Sequence, residues 1–186
     1  MAKVDILLEG YVLEKWAEEK VCATVSLVRD KDIIMVVDPG TMKNQNLLID
    51  SLNKKNLIKE DVNWICITHS HLDHYRNLGL FLDAKVLDYW KIWDKDIMEF
   101  WKEDFTKDIR ILKTPGHSYD NITLLVNTNK GLVAICGDVF WKKDFPTDDS
   151  YASNKKKLKE SRKKILELAD YIIPGHGGMY KVDREN

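Results

Sequence analysis

The stretch Val62-Asn63-Trp64-Ile65-Cys66-Ile67-Thr68-His69-Ser70-His71-Leu72-Asp73-His74 decides the reading of this chain. Residues 62–68 make a short, largely apolar run, the pattern of a strand buried on both faces. The next six residues, HSHLDH, hold histidines at 69, 71 and 74 and an aspartate at 73. Neutral imidazole and carboxylate are good ligands for zinc, iron or manganese. His69 and His71 are two apart and can converge from an extended loop. Asp73 and His74 are adjacent, point differently, and so suit a second ion.

Working outward, the remaining histidines occupy equivalent places. His117 follows Thr114-Pro115-Gly116 after the strand-like run Ile109–Lys113, and His176 follows Pro174-Gly175 after Tyr171–Ile173. Asp138, in Cys136-Gly137-Asp138, follows the run Gly131–Cys136. Each candidate thus lies just past the end of a strand, where a rigid sheet can aim side chains into a cleft. The flanking Gly and Pro residues permit tight turns and close approach of backbone to a bound centre. Any one of these histidines, taken alone, reads as structural or solvated. The ordered set His69, His71, Asp73, His74, His117, Asp138 and His176 reads as a metal centre. Asp138 is the best candidate for a bridging carboxylate, and ligands of this number and type suit two divalent ions.

The rest of the chain bounds the answer. Its 186 residues are 44% apolar and 32% charged, enough for a sizeable core and too apolar for wholesale disorder. One continuous domain over residues 1–186 is expected. A net charge of −1 excludes a generally basic nucleic-acid coat. No apolar run approaches the roughly 18 residues of a membrane span. Asp5 and Glu9 interrupt the apolar N-terminal stretch, which lacks a small-residue cleavage site, so a cytoplasmic location is expected. Cys22, Cys66 and Cys136 cannot pair completely and read as buried thiols.

Further runs read as strands at Val4–Leu8, Val21–Arg29, Asp32–Val37, Lys85–Asp88 and Ile122–Val126, and as helices at Asn46–Lys55 and Lys155–Ala169. Periodicity alone supports an α/β or α+β class. The order strands, helix, strand, then strands, helix, strand suggests two packed sheets with helices outside, an α+β four-layer αββα sandwich. Two stretches resist this frame. Tyr89–Asp108 holds Trp90, Trp93, Phe100, Trp101 and Phe105 among acids, and reads as a substrate wall, a lid, a dimer contact or an irregular packed insertion. Asn154–Lys164, NKKKLKESRKK, reads as a polyanion-attracting face or as the solvated side of an amphipathic helix. Trp141, three residues past Asp138, is the best aromatic candidate for lining the site.

The seven residues carry a resemblance. The pattern HxHxDH followed by His, Asp and His resembles the metallo-β-lactamase fold superfamily, and the likeness runs over essentially the whole chain. Val36-Val37-Asp38-Pro39-Gly40 is similar to the superfamily's Asp-x-Gly turn, whose Asp supports the site from behind. Within the superfamily, ICITHSHLDHYRNLGLF and TPGHSYDNITLLV most resemble the subfamily of metallo-β-lactamase domain-containing protein 1 and its small prokaryotic relatives. That subfamily is linked to metal-dependent hydrolysis, including of RNA phosphodiesters. The resemblance implies the four-layer fold, a first ion on His69, His71 and His117, a second on Asp73, His74 and His176, and Asp138 between them. Asp138 stands where the commonest true β-lactamases have Cys, which argues against antibiotic hydrolysis. The chain departs from many members at Tyr75-Arg76, where a Gly is usual two residues after the Asp-His pair; Arg76 reads as an anion-holding residue or as part of a salt bridge.

The function so implied is a metal-dependent hydrolase with two divalent cofactors, zinc first and iron or manganese as alternatives. Two close ions acidify a shared water, and the resulting hydroxide attacks an ester, thioester or phosphodiester. Asp73 is the expected catalytic residue, passing a proton to the leaving group. The expected partner is a small-molecule or RNA substrate, with no membrane and with a homodimer left open. The competing expectation is a mononuclear iron persulfide dioxygenase using two histidines and the aspartate.

Overall fold

The computed structural model describes residues 1–15 and 18–183. A seven-stranded sheet takes the order β1 (Lys3–Leu8), β4 (Val25–Asp30), β5 (Ile33–Val37), β6 (Trp64–Cys66), β7 (Lys85–Leu87), β8 (Ile92–Asp94), β9 (Ile97–Glu99). A five-stranded sheet takes the order β10 (Ile109–Lys113), β11 (Ile122–Thr128), β12 (Gly131–Ile135), β13 (Tyr171–Ile173), β14 (Tyr180–Lys181). A separate hairpin joins β2 (Tyr11–Lys15) to β3 (Glu18–Cys22). The helices are α1 (Asn46–Asn53), α2 (Leu72–Tyr75) and α3 (Lys155–Leu168).

Side-chain alternation builds the layers. In β5, Met35 and Val37 face one way and Val36 the other, and all three are buried. Met35 and Val37 join Ile122, Leu124 and Val126 of β11 and Val133 and Ile135 of β12 in the core between the sheets. Val36 packs with Leu48 and Leu52 of α1 in a second core. Leu125 of β11 and Ala134 of β12 pack with Leu158 and Ile165 of α3 in a third. The result is helix, sheet, sheet, helix, the expected α+β four-layer αββα sandwich. Burial on both faces explains why these strands read as continuous apolar runs. Cys22, Cys66 and Cys136 are buried free thiols, as expected. No helix among the described residues is long and apolar enough to cross a membrane.

Three features correct the strand reading. The run Val21–Arg29 is broken between β3 and β4, because Thr24 turns away from the ladder. Its amide donates to the Gly175 carbonyl at 2.6 Å, and its hydroxyl donates to the Gly177 carbonyl at 2.9 Å. The break thus clamps the loop that carries His176. Strand β2 is additional to the expected elements. So is the β8–β9 hairpin inside the aromatic segment, which turns at Lys95 with φ 57°.

Topology gathers the loop ends. β5, β6 and β7 are parallel, and so are β12 and β13. β10 is antiparallel to β11, which is antiparallel to β12, so β10, β12 and β13 run the same way. The ends of β6, β10, β12 and β13 are followed by His69, His117, Asp138 and His176 respectively. The two sheets meet directly at this edge, where the Ile122 amide donates to the Thr68 carbonyl at 2.8 Å.

Candidate metal centre

All seven candidates come together. His69, His71, His117 and Asp138 place ligand atoms within 4.8 Å of one another, and Asp73, His74 and His176 do the same beside them. Asp138 lies between the groups. Its Oδ2 is 3.3 Å from His117 Nε2 and 3.9 Å from His69 Nε2, while its Oδ1 is 3.3 Å from His74 Nε2 and 3.2 Å from His176 Nε2. His71 completes the first group with Nδ1, 3.0 Å from His117 Nε2. Asp73 Oδ2 completes the second, 3.6 Å from both His74 and His176.

Local structure explains how each side chain is aimed. Residue His71 is extended, and α2 begins immediately after it. Successive residues of that short helix diverge, so Asp73 and His74 reach the second group by different routes. The turn is latched by the Gly40 amide, which donates to the His74 carbonyl at 2.9 Å. Gly137 adopts φ 52°, and a Cβ there would overlap the Thr68 hydroxyl. That close approach lets the short 3-10 turn Gly137–Val139 place Asp138 against the β6 loop.

Hydrogen bonds behind the ligands fix their tautomers. His74 Nδ1 donates to Asp38 Oδ2 at 2.8 Å, and His117 Nδ1 to Asp149 Oδ2 at 2.7 Å. His176 Nδ1 donates to the Cys22 carbonyl at 3.0 Å. The Thr68 hydroxyl donates to Asp38 Oδ2 at 2.7 Å, so its contact of 3.2 Å with His69 Nδ1 is one it accepts. Four histidines therefore aim Nε2 at the centre, the atom left for a metal once it carries no proton. Asp38 holds a left-handed φ of 51° while also accepting the Thr68 amide at 2.8 Å. Local strain of this kind persists where surrounding bonds over-determine it.

The donor set fits metal ions on a second ground. His69 Nε2, His74 Nε2, Asp73 Oδ2 and Asp138 Oδ1 are buried without a hydrogen-bond partner. Buried polar atoms are rarely left unpaired, and here four converge on one cavity.

Charge is distributed unevenly across the cluster. Burial, followed by the neighbouring His74, pushes the His69 imidazole well below its ordinary range. Burial and His117 lower that of His71. Burial alone would also lower His74, but Asp138 and Asp38 outweigh it and hold it well above. Asp138 likewise raises His176 against its burial. Burial would raise Asp138, but His176 and His74 hold it well below the carboxylate range. The raised values of His74 and His176 stabilise the fold most fully below pH 6.5 and lose that contribution as pH rises through the folded values. Metal uptake must expel these protons. Calorimetry near neutral pH, in buffers of different ionisation enthalpy, is expected to report net proton release. Heats independent of buffer would contradict this charge assignment.

The aromatic candidate Trp141 packs on the centre, its ring 5.9 Å from that of His117 and 6.2 Å from that of His176. Its indole nitrogen is 3.5 Å from His117 Nδ1, whose proton already goes to Asp149, so this contact is packing. Arg76 instead caps α2 on an exposed recess with Thr41, Gln45 and Asn46, apart from the ligands. The lysine-rich stretch forms α3, whose Leu158, Ser161 and Ile165 face inward and whose lysines are exposed. Sequence reasoning missed Asp149. It sits in the polar run Asp148-Asp149-Ser150, which looks like a solvated loop, yet it is 1% exposed.

A family model described as the metallo-beta-lactamase superfamily matches residues 23–123. The chain is 30% identical over 192 residues to metallo-beta-lactamase domain-containing protein 1 of Xenopus laevis, covering 96% of this chain and 81% of that one. Against the Mus musculus protein of the same name it is 30% identical, covering 81% of this chain but only 62% of the relative. A solved structure from Thermotoga maritima, described as a metallo-beta-lactamase, superposes with a TM-score of 0.77 at 20% identity, covering 97% of this chain and 99% of that one. AidC, a dizinc quorum-quenching lactonase solved with its product, superposes with a TM-score of 0.67 at 17% identity, covering 90% of this chain and 77% of that one.

Proposed function

The chain belongs to the metallo-β-lactamase superfamily, and from that premise we propose that it is a dinuclear metal-dependent hydrolase of an ester, thioester or phosphodiester bond. The observation that supports two ions is the Asp138 carboxylate, which offers one oxygen to each ligand group while four buried ligand atoms stand unpartnered. His69, His71 and His117 would hold the first ion, Asp73, His74 and His176 the second, and Asp138 both. Divalent ions held there supply a water acidified to near neutral pH and a positive field for the developing negative charge.

The chain's own residues supply orientation and proton handling. Asp38 and Asp149 lock the His74 and His117 rings, so those ligands need little reorganisation. Asp73 is the half-open carboxylate of the set, its side chain 19% exposed against 6% for Asp138. In this reading it would accept a proton from the attacking water and return it to the leaving group. His71 is exposed while the other histidines of the set are buried.

Elemental analysis of the purified protein, followed by assays on thioester, lactone and phosphodiester substrates, tests this reading. Two ions per chain, zinc foremost, and hydrolysis that is lost on chelation are expected. A single iron per chain, with oxygen consumed in the presence of a persulfide, would replace it with the dioxygenase alternative.

A further inference from the structure

Beside the metal ligands lies a cavity of about 480 Å³. His69, one of the candidate ligands, and Ser70 belong to its lining, so it adjoins the centre. Its walls are Tyr75, Tyr89, Trp90, Trp93 and Tyr119, with Asp120 among them. Three of these rings come from the segment that follows β7, whose role the sequence left open.

The walls are built. The Trp93 indole donates to Asp88 Oδ2 at 2.9 Å, and Asp88 Oδ1 accepts the Trp90 and Lys91 amides at 2.7 and 2.8 Å. Lys113 Nζ lies 4.1 Å from the centroid of the Tyr89 ring. Trp90 and Tyr119 form the mouth, one from each sheet, with ring centroids 6.3 Å apart. They remain 54% and 63% exposed. Two large rings left open at the mouth bury little of their own surface until something lies against them.

The charge of the lining selects against one class of substrate. Its charged lining groups are Asp88 and Asp120, and no lysine or arginine lines it. Asp120 is buried, with a short hydrogen bond from the Ser118 hydroxyl. A polynucleotide entering here would meet carboxylates where phosphate needs cations. The lysines of α3 lie on the outer layer and do not line this cavity.

We infer that this cleft receives an uncharged alkyl or aryl acyl group, making the substrate a small carboxylic ester, thioester or lactone and not a nucleic acid. The inference rests on the hydrolase reading for the bond that is cut, and on the cleft alone for the group beside it.

The metal-loaded protein is assayed on p-nitrophenyl acetate, butyrate, hexanoate and octanoate, on bis-p-nitrophenyl phosphate, and on a short oligoribonucleotide. Octanoate binding is followed by calorimetry. kcat/KM is expected to rise about threefold per added methylene up to hexanoate, mainly through KM. Trp90→Ala and Tyr119→Ala, both at exposed positions, are expected to cut the hexanoate-to-acetate ratio about tenfold and to weaken octanoate binding. A flat ester series with octanoate binding equal in all three proteins overturns the inference and leaves the hydrolase intact. So does faster cleavage of the oligoribonucleotide than of any ester. Failure to turn over every substrate counts against the hydrolase, and the loss or retention of octanoate binding in the variants then decides the cleft by itself.

Discussion

Asp138→Asn is expected to lower hydrolytic turnover by about a thousandfold and to leave the protein with fewer bound ions. The substitution keeps the shape of the side chain and removes its charge. Asp138 sits among four histidines, with Nε2 atoms between 3.2 and 3.9 Å from its oxygens. An amide cannot neutralise two cations, and one of its ends is a donor facing lone pairs that should bind metal. About 4 kcal/mol of lost stabilisation corresponds to that fall in rate. Metal content by elemental analysis and kcat on the best available ester are the measurements. Full metal occupancy with turnover within a few-fold of the parent would refute the bridging role.

Gly116→Ala has its effect on the fold. Gly116 has φ 144°, and a Cβ there would overlap the backbone and side chain of Leu158 on α3. Leu158 is 3% exposed in the outer core, so α3 cannot simply ride outward. The same residue anchors the start of that helix, since its carbonyl accepts the Asn154 amide at 2.9 Å and the Ser153 hydroxyl at 3.1 Å. Backbone strain and the clash together should destabilise by roughly 3–5 kcal/mol. For a domain of this size that is a fall in Tm of about 10 °C. Because His117 is the next residue, metal affinity should fall as well. Gly79→Ala is the control: a Cβ there meets nothing within 4 Å, so thermal denaturation should be nearly unchanged. Equal Tm values for the two variants would sink the argument.

Residues of different kinds were legible to different degrees. The strands β5, β11 and β12 read clearly because most of their positions are covered on both faces and are apolar or small. The seven candidate ligands stand out because they are all His or Asp, and each follows a strand end marked by turn residues. The β8–β9 hairpin did not, because its strands are three residues long and its turn uses Asp94-Lys95-Asp96 with no glycine. The break at Thr24 was hidden because its cause is a contact with Gly175 and Gly177, about 150 positions away. Asp149 was hidden for the same reason: its partner His117 lies 32 residues off, and nothing local distinguishes a buried acid from a solvated one.

The crowding of four ligands into residues 69–74 has a thermodynamic effect beyond the native centre. A denatured chain brings His117, Asp138 and His176 together only rarely, but it keeps His69, His71, Asp73 and His74 within one short peptide. That peptide keeps four potential donors together without the fold. Ions therefore have affinity for the unfolded ensemble too, and the rise in melting temperature on adding zinc will be smaller than the native dissociation constant alone implies.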